Sequence, residues 1–357
     1  MDAKPYQRHT GADLTVTNKA IVLAVKPRGN PQIARECVHL HRSNTPLANI
    51  GKPIVNLPRE TYGKPDDTLH DLYERIAAKI GVGSRARFPL TRLRLTKNSD
   101  GSFLPNDSTT IYDAGLDDKS TILVKDLGPQ IAWRTVFVIE YLGPLLIHPL
   151  LYFGRTWIYR IPPAHLSFPD TNTLQTLSFT AICLHFLKRE YETVFVHRFS
   201  NATMPRRNIF KNSAHYWLLA GLNIALFTYS PSDACPTNQP SPAWFVAIAV
   251  ALFVVGEIGN FSAHLTLRDL RTKGSTERKI PSTGVFKYVP VTCPNYFFET
   301  LAWAGIWMLN KSWSTGLFAA IAVGQMAVWA RKKEKRYRQE FGNSYSTKRF
   351  AMLPGIV

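Results

Sequence analysis

Cysteine is scarce and scattered in this 357-residue chain: Cys37, Cys183, Cys235 and Cys293 form no CxxC pair and no Cys/His spacing of a zinc site. A disulfide scaffold and a metal centre are therefore not expected. The amino terminus, MDAKPYQRHTGADLTV, has no apolar run of the kind that a cleaved signal peptide needs, so the first residues are expected to stay in the cytosol. No G-x-G-x-x-G follows a strand, which removes a Rossmann nucleotide site. Acidic residues are also in short supply, 25 against 43 basic ones, for a net charge of +18. Such a balance can indicate nucleic acid. Here residues 1–128 hold 19 basic and 14 acidic side chains and the remainder 24 and 11, so most of the excess surrounds the apolar part. Positive charge in that position marks the cytoplasmic side of a membrane and favours anionic lipids or cofactors, not nucleic acid.

The mean hydropathy of -0.11 averages two regimes. Residues 1–128 are polar and turn-rich, whereas 129–357 contain apolar blocks at about 132–153, 174–196, 214–230, 243–263, 293–310 and 315–330. Six spans of membrane-helix length are expected. Basic residues alternate from loop to loop: 188–212, 264–290 and the tail from Arg331 are rich in them, and the loop 231–242 has no Lys or Arg. Six spans with both termini in the cytosol satisfy this alternation.

In the first domain, 19–26 has strand composition, and Leu69, Leu72, Tyr73, Ile76 and Ile80 share one face at helical spacing. An Asp-Gly turn follows, then the strand Thr121–Val124. This order resembles ubiquitin-like β-grasp domains, which usually dock or position a partner. The expected fold is thus a small α+β domain with a disordered start at 1–128, followed by a multi-span all-α membrane domain at 129–357.

Ionisable side chains inside apolar blocks are expensive, roughly 2.5–3.5 kcal/mol for an aspartate or a basic side chain at a span centre. Glu140, Glu257 and Glu299 each need a polar neighbour, either to pack the bundle or to do chemistry. The end of the fourth block is the most polar stretch. Asn260, His264, Arg268 and Arg271 fall largely on one helical face, and Lys273, Arg278 and Lys279 follow. Converging donors of this kind suit a diphosphate and a further phosphate. A basic patch touching lipid headgroups is the plainer reading of the same residues.

The series GNFSAHLTLRDLR, RKIP, FKYV, CPNYFFE and KRYRQEFGNSYSTKRFAMLPGIV resembles the C-terminal domain of the steroid 5α-reductase superfamily, about residues 200–357 here. With DLGPQIAWRTVFVIEYLGPLL and ETVFVHRFSNATMPRRNIFKN, the chain is most similar to the very-long-chain trans-2-enoyl-CoA reductase branch. The resemblance implies an endoplasmic reticulum membrane enzyme that uses NADPH for the last reduction of fatty acid elongation, feeding sphingolipid synthesis. Its implied partners are the enoyl-CoA substrate, membrane lipid, and the condensing enzyme, ketoacyl reductase and hydroxyacyl dehydratase of the same cycle.

It further implies a cofactor site of Asn260, Arg268, Arg271, Lys279, Asn295, Glu299, Tyr337 and Arg189, and active-site roles for Glu140 and Tyr296. The steroid branch supplies a tyrosine within an HYxxR motif, but this sequence reads His185-Phe186-Leu187-Lys188-Arg189. Phe186 has no hydroxyl, so the preferred proton donor is Tyr296, whose plainer role is that of an interfacial anchor. The alternatives are a sterol or steroid double-bond reductase and a non-catalytic scaffold that docks through its first domain.

Overall fold

The structure is a computed structural model that describes residues 21–27, 59–81, 87–118, 120–159, 170–199, 202–232, 235–270, 279–345 and 350–356. The expectations placed on residues 1–20 and 28–58, and on Arg271, Lys273 and Arg278, lie outside these. The chain divides into two compact units, Met1–Gln130 and Ile131–Val357.

Among the described residues, the first unit is a five-stranded sheet with the α-helix Leu69–Ile80 packed on it. Strands β1 (Ile21–Pro27), β2 (Glu60–Gly63), β3 (Leu93–Lys97), β4 (Phe103–Leu104) and β5 (Thr121–Asp126) lie in the order β2-β1-β5-β3-β4. β1 and β5 are parallel, with Ala24 opposite Thr121, and the other pairs are antiparallel. Helix α1 (Leu69–Ile80) starts at a capping box, in which the Asp71 N–H donates to Thr68 Oγ1 and the Thr68 N–H to the Asp71 carboxylate. Leu69, Leu72, Tyr73 and Ile76 of α1 bury against Leu23, Leu95, Ile111 and Ile122. Tyr73 joins helix to sheet: its hydroxyl donates to the Leu104 carbonyl at 2.8 Å and accepts from the Leu95 N–H at 3.2 Å. Burial pushes this phenol up to about 12, so it stays a neutral donor at physiological pH.

The second unit is helical. Its main helices are α2 (Trp133–Phe153), α3 (Thr173–Tyr191), α4 (Asn208–Ala214), α5 (Ala243–Asp269), α6 (Val285–Tyr288), α7 (Pro294–Asn310) and α8 (Trp313–Phe341). The α3 run continues through a widened turn at Glu192–Val196, and the α4 run through a widened stretch to Thr228. All six apolar blocks are helical, and among the described residues three helices, Trp133–Phe153, Ala243–Asp269 and Trp313–Ser344, are by length and composition alone suited to cross a membrane. The other three fall short of this. α3 ends in Lys188, Arg189 and Glu190, the α4 run changes its hydrogen-bonding register twice, and α7 has 17 residues with Glu299 among them.

The closest helix pair is α5 and α7, brought together by small residues. A Cβ built on Gly256 would lie 2.4 Å from the Ala302 backbone nitrogen, and one on Gly305 would lie 2.5 Å from the Ala249 carbonyl. Such small-residue seams let helix backbones approach in an apolar surround, where dispersion and interhelical hydrogen bonds supply the attraction. α5 carries Asn260, His264 and Arg268, and α7 carries Asn295, Tyr296 and Glu299. The seam therefore sets the spacing between the two polar groups.

Candidate active site

A cavity of about 490 Å³ opens where the polar ends of α5, α7 and α8 meet the turn after α3. Of the residues expected at a site, Arg268, Lys279, Asn295, Tyr296 and Tyr337 line it. Its inner end is buried: His264 and Asn295 are each 8% exposed and Tyr337 7%. Its outer end is cationic, with Arg198, Lys279, Lys332 and Arg336 exposed around it.

Local structure explains how each residue arrives there. Pro294 occupies the first turn of α7, where its missing N–H leaves no intrahelical bond unmade. Asn295 and Tyr296 therefore stand at the positive end of a helix dipole. The Asn260 side chain donates to the Asn295 carbonyl at 2.8 Å, fixing α7 to α5 behind the cavity wall. Asn295 Oδ1 is buried and has no hydrogen-bond partner. Such an acceptor is free to take a hydrogen bond from a molecule bound in the cavity.

Behind this wall lies a buried ionic network. Lys188 Nζ donates to Asn260 Oδ1 at 2.7 Å and lies 2.8 Å from Glu257 Oε2. His185 bridges Glu257, at 2.6 Å through Nδ1, and Glu299, at 3.5 Å through Nε2. Arg189 donates to the Tyr141 hydroxyl at 2.7 Å and to Glu192 at 3.0 Å, and His264 Nδ1 lies 3.0 Å from the same Glu192 oxygen. Two fixed cations thus face three carboxylates, with two histidines between them. A network like this contributes register more than stability, because desolvation offsets most of the Coulomb attraction.

Arg189, Glu299 and Asn260 belong to that network and do not line the cavity. Glu140, 2% exposed with Oε2 unpartnered, neighbours Arg189, Asn212 and Tyr141 and likewise lies off the cavity wall. The structure does not bring it to Tyr296. Phe186, fully buried, packs with Tyr141, Tyr216 and Trp303 as a core residue.

Glu192, His197 and His264 place their ligand atoms within 4.8 Å of one another, as metal ligands would. Arg189 and Lys188, at 3.0 and 3.6 Å, already neutralise Glu192. In the trio, His264 Nδ1 faces both Glu192, at 3.0 Å, and His197 Nε2, at 3.4 Å, so its N–H is shared between them. Burial, with Arg189 and His264 beside it, pushes the His197 imidazole down to about 3, so it faces the cavity uncharged at neutral pH.

Sequence reasoning passed over Phe137, His197, Arg198, Trp329, Lys332, Lys333 and Arg336, all of which line the cavity. A signal for the last three was present in RKKEKRYR: Lys332, Lys333, Arg336 and Tyr337 share one face at helical spacing. Chemically, the arrangement offers a deep amide and phenol and a cationic mouth, as an extended phosphorylated ligand with a polar ring at its inner end requires.

Comparison with known proteins agrees. Residues 202–357 match the family described as 3-oxo-5-alpha-steroid 4-dehydrogenase. A Schizosaccharomyces pombe protein named as an enoyl reductase is 44% identical over 86% of this chain and 98% of its own. A Dictyostelium discoideum protein named very-long-chain enoyl-CoA reductase is 39% identical over 81% of this chain and 92% of its own. The mouse protein named trans-2,3-enoyl-CoA reductase-like is 30% identical over 81% of this chain and 78% of its own.

Proposed function

Because this membrane oxidoreductase belongs to the enoyl-CoA reductase family, we propose that it reduces very-long-chain trans-2-enoyl-CoA to saturated acyl-CoA with NADPH. This is the final step of the microsomal elongation cycle, which also feeds sphingolipid synthesis. The observation that carries the reading is the cavity itself, with the orphan Asn295 Oδ1 and Tyr296 at its inner part and cations at its mouth. These residues fit the cofactor: the orphan oxygen accepts from an amide donor such as the nicotinamide carboxamide, and the cations suit its phosphates. When bound, the nicotinamide supplies the hydride.

What remains for the protein is the charge that builds on the thioester oxygen and the proton for Cα. A phenol, with an ordinary pKa near 10, is neutral at pH 7 and can donate both a hydrogen bond and a proton. Tyr296 is placed for this on the cavity wall at a helix amino end, whose dipole favours developing negative charge. Arg268, Lys279 and Tyr337 hold the phosphates and ribose, and Asn260 positions Asn295. Arg189 and Glu299 act from the network behind. Glu140 is a positioning residue: its neighbour Tyr141 stacks on Phe137, which lines the cavity.

The site faces the cytosol in a six-span arrangement in the endoplasmic reticulum membrane, supported by the alternation of basic loops. The first unit is a ubiquitin-like module for docking the other elongation enzymes; its sheet order, β1–β5 parallel pairing and the packing of α1 on the sheet support that reading. Purified protein given a long-chain trans-2-enoyl-CoA should oxidise NADPH and release the saturated thioester in equal amounts. Absence of turnover in well-folded protein refutes the assignment.

A further inference from the structure

Six cations ring the cavity, and they are not equivalent. Arg268 is held by both oxygens of Asp269, at 2.7 Å through Nε and 3.1 Å through Nη2. Arg198 and Lys279 are engaged with partners of their own. Lys333 lies over the Tyr337 ring, 5.5 Å from its centroid. Lys332 and Arg336 meet no carboxylate among the described residues. Both are exposed at the mouth, and one helical turn apart on α8 they stand on one face, where side chains four residues apart are neighbours about 5–6 Å apart at Cβ. Glu334, the acidic residue between them, is buried and accepts from Arg338 at 2.6 Å instead.

We propose that Lys332 and Arg336 form a phosphate-monoester site that reads the ribose 2′-phosphate of the cofactor, and so set the preference for NADPH over NADH. The inference rests on the NADPH reading above and deepens it. An amide-bearing ring at the buried Asn295 end leaves the adenosine half at the mouth, where the two uncommitted cations stand. A monoester dianion is the group that uses two cations at once, whereas each phosphate of the diester-like diphosphate carries a single charge. A lysine and an arginine on one turn supply a point charge and a planar fork, which together surround a tetrahedral anion. The other monoester of the reaction, the 3′-phosphate of coenzyme A, has the same chemistry, so the experiment must separate the two.

The test uses the full-length enzyme in detergent, with 2′,5′-ADP, 3′,5′-ADP and 5′-AMP as competing probes against wild type, Lys332→Ala, Arg336→Ala and the double variant. Wild type should bind 2′,5′-ADP more tightly than 5′-AMP. Each substitution should weaken 2′,5′-ADP about tenfold, the size expected for one charge-assisted hydrogen bond, and leave 5′-AMP unchanged. KM for NADPH should rise in step, with kcat and the KM for enoyl-CoA unaltered, and Lys332→Arg should retain most of the binding. Unchanged kcat also reports that the variants fold. If the variants instead lose 3′,5′-ADP and raise the KM for enoyl-CoA, the pair holds coenzyme A and the proposal is overturned. Unchanged affinity for 2′,5′-ADP in the double variant overturns it as well. If wild type itself shows no preference for NADPH, the parent reading of the cofactor fails and this proposal falls with it.

Discussion

Replacing Gly256 by alanine probes how the sequence positions the site. A Cβ at Gly256 would lie 2.4, 2.7 and 2.8 Å from the Ala302 nitrogen, the Phe298 carbonyl oxygen and the Ala302 Cα, all of them backbone atoms of α7. Backbone cannot rotate aside, so α5 and α7 must separate by about 1 Å to restore ordinary contact, about 3.4 Å and beyond. The Asn260 to Asn295 bond spans this seam at 2.8 Å and does not survive that displacement. Overpacking costs about 1–3 kcal/mol and the lost hydrogen bond about 1. Alanine's better helix propensity returns about 1 kcal/mol. The net loss is about 1–3 kcal/mol, a fall in Tm of several degrees for a unit of this size. The functional effect should be larger, because a 1 Å misplacement of positioned groups costs on the order of 10²-fold in rate. Gly324→Ala is the control, since a Cβ there meets nothing within 4 Å. Thermal unfolding and NADPH-dependent turnover of both variants, side by side in detergent, give the answer. If Gly256→Ala matches Gly324→Ala in Tm and turnover, the seam does not set the site's geometry.

Tyr296→Phe should lower kcat by about 10²-fold or more and leave the KM for NADPH nearly unchanged, because only the hydroxyl is lost; full activity would move the proton donor to Tyr141, Glu140 or water. In the first unit, burial alone would raise the Asp67 carboxyl, but the Lys64 N–H and the Arg75 guanidinium outweigh it and hold it below its ordinary value. Its contribution to stability is therefore complete above about pH 4 and lost as pH falls through the lower folded value; hydrogen exchange of 60–80 in the intact protein should show this, and Asp67→Asn should weaken the dependence and leave the part that Asp71 contributes through its bonds to Thr68. In sealed microsomes a thiol probe at 236–240 should be protected from the cytosol and one near residue 350 accessible; labelling of both from outside would break the six-span topology.

Periodicity and charge were enough for the broad plan. Apolar residues every three to four positions specify α1 and the membrane-unit helices, because a helix buries one face whatever its neighbours are. The loop alternation and the polar stripe Asn260, His264, Arg268 are likewise local properties of the chain. The motifs around Arg268, Lys279, Asn295, Tyr296 and Tyr337 pointed to residues that one cavity gathers from three helices and a loop. Only the tertiary structure decided which polar residues touch that cavity and which sit behind it. Glu140, Arg189 and Glu299 read like Tyr296 in sequence, since each is a polar group inside an apolar block. Their separation depends on how α2, α3 and α7 are rotated about their own axes, and no single helix encodes that. The partners of Lys188 on α5, Glu257 and Asn260, were equally invisible. So was the freedom of Lys332 and Arg336, because a cation's availability is fixed by the carboxylates that folding brings to it or leaves elsewhere.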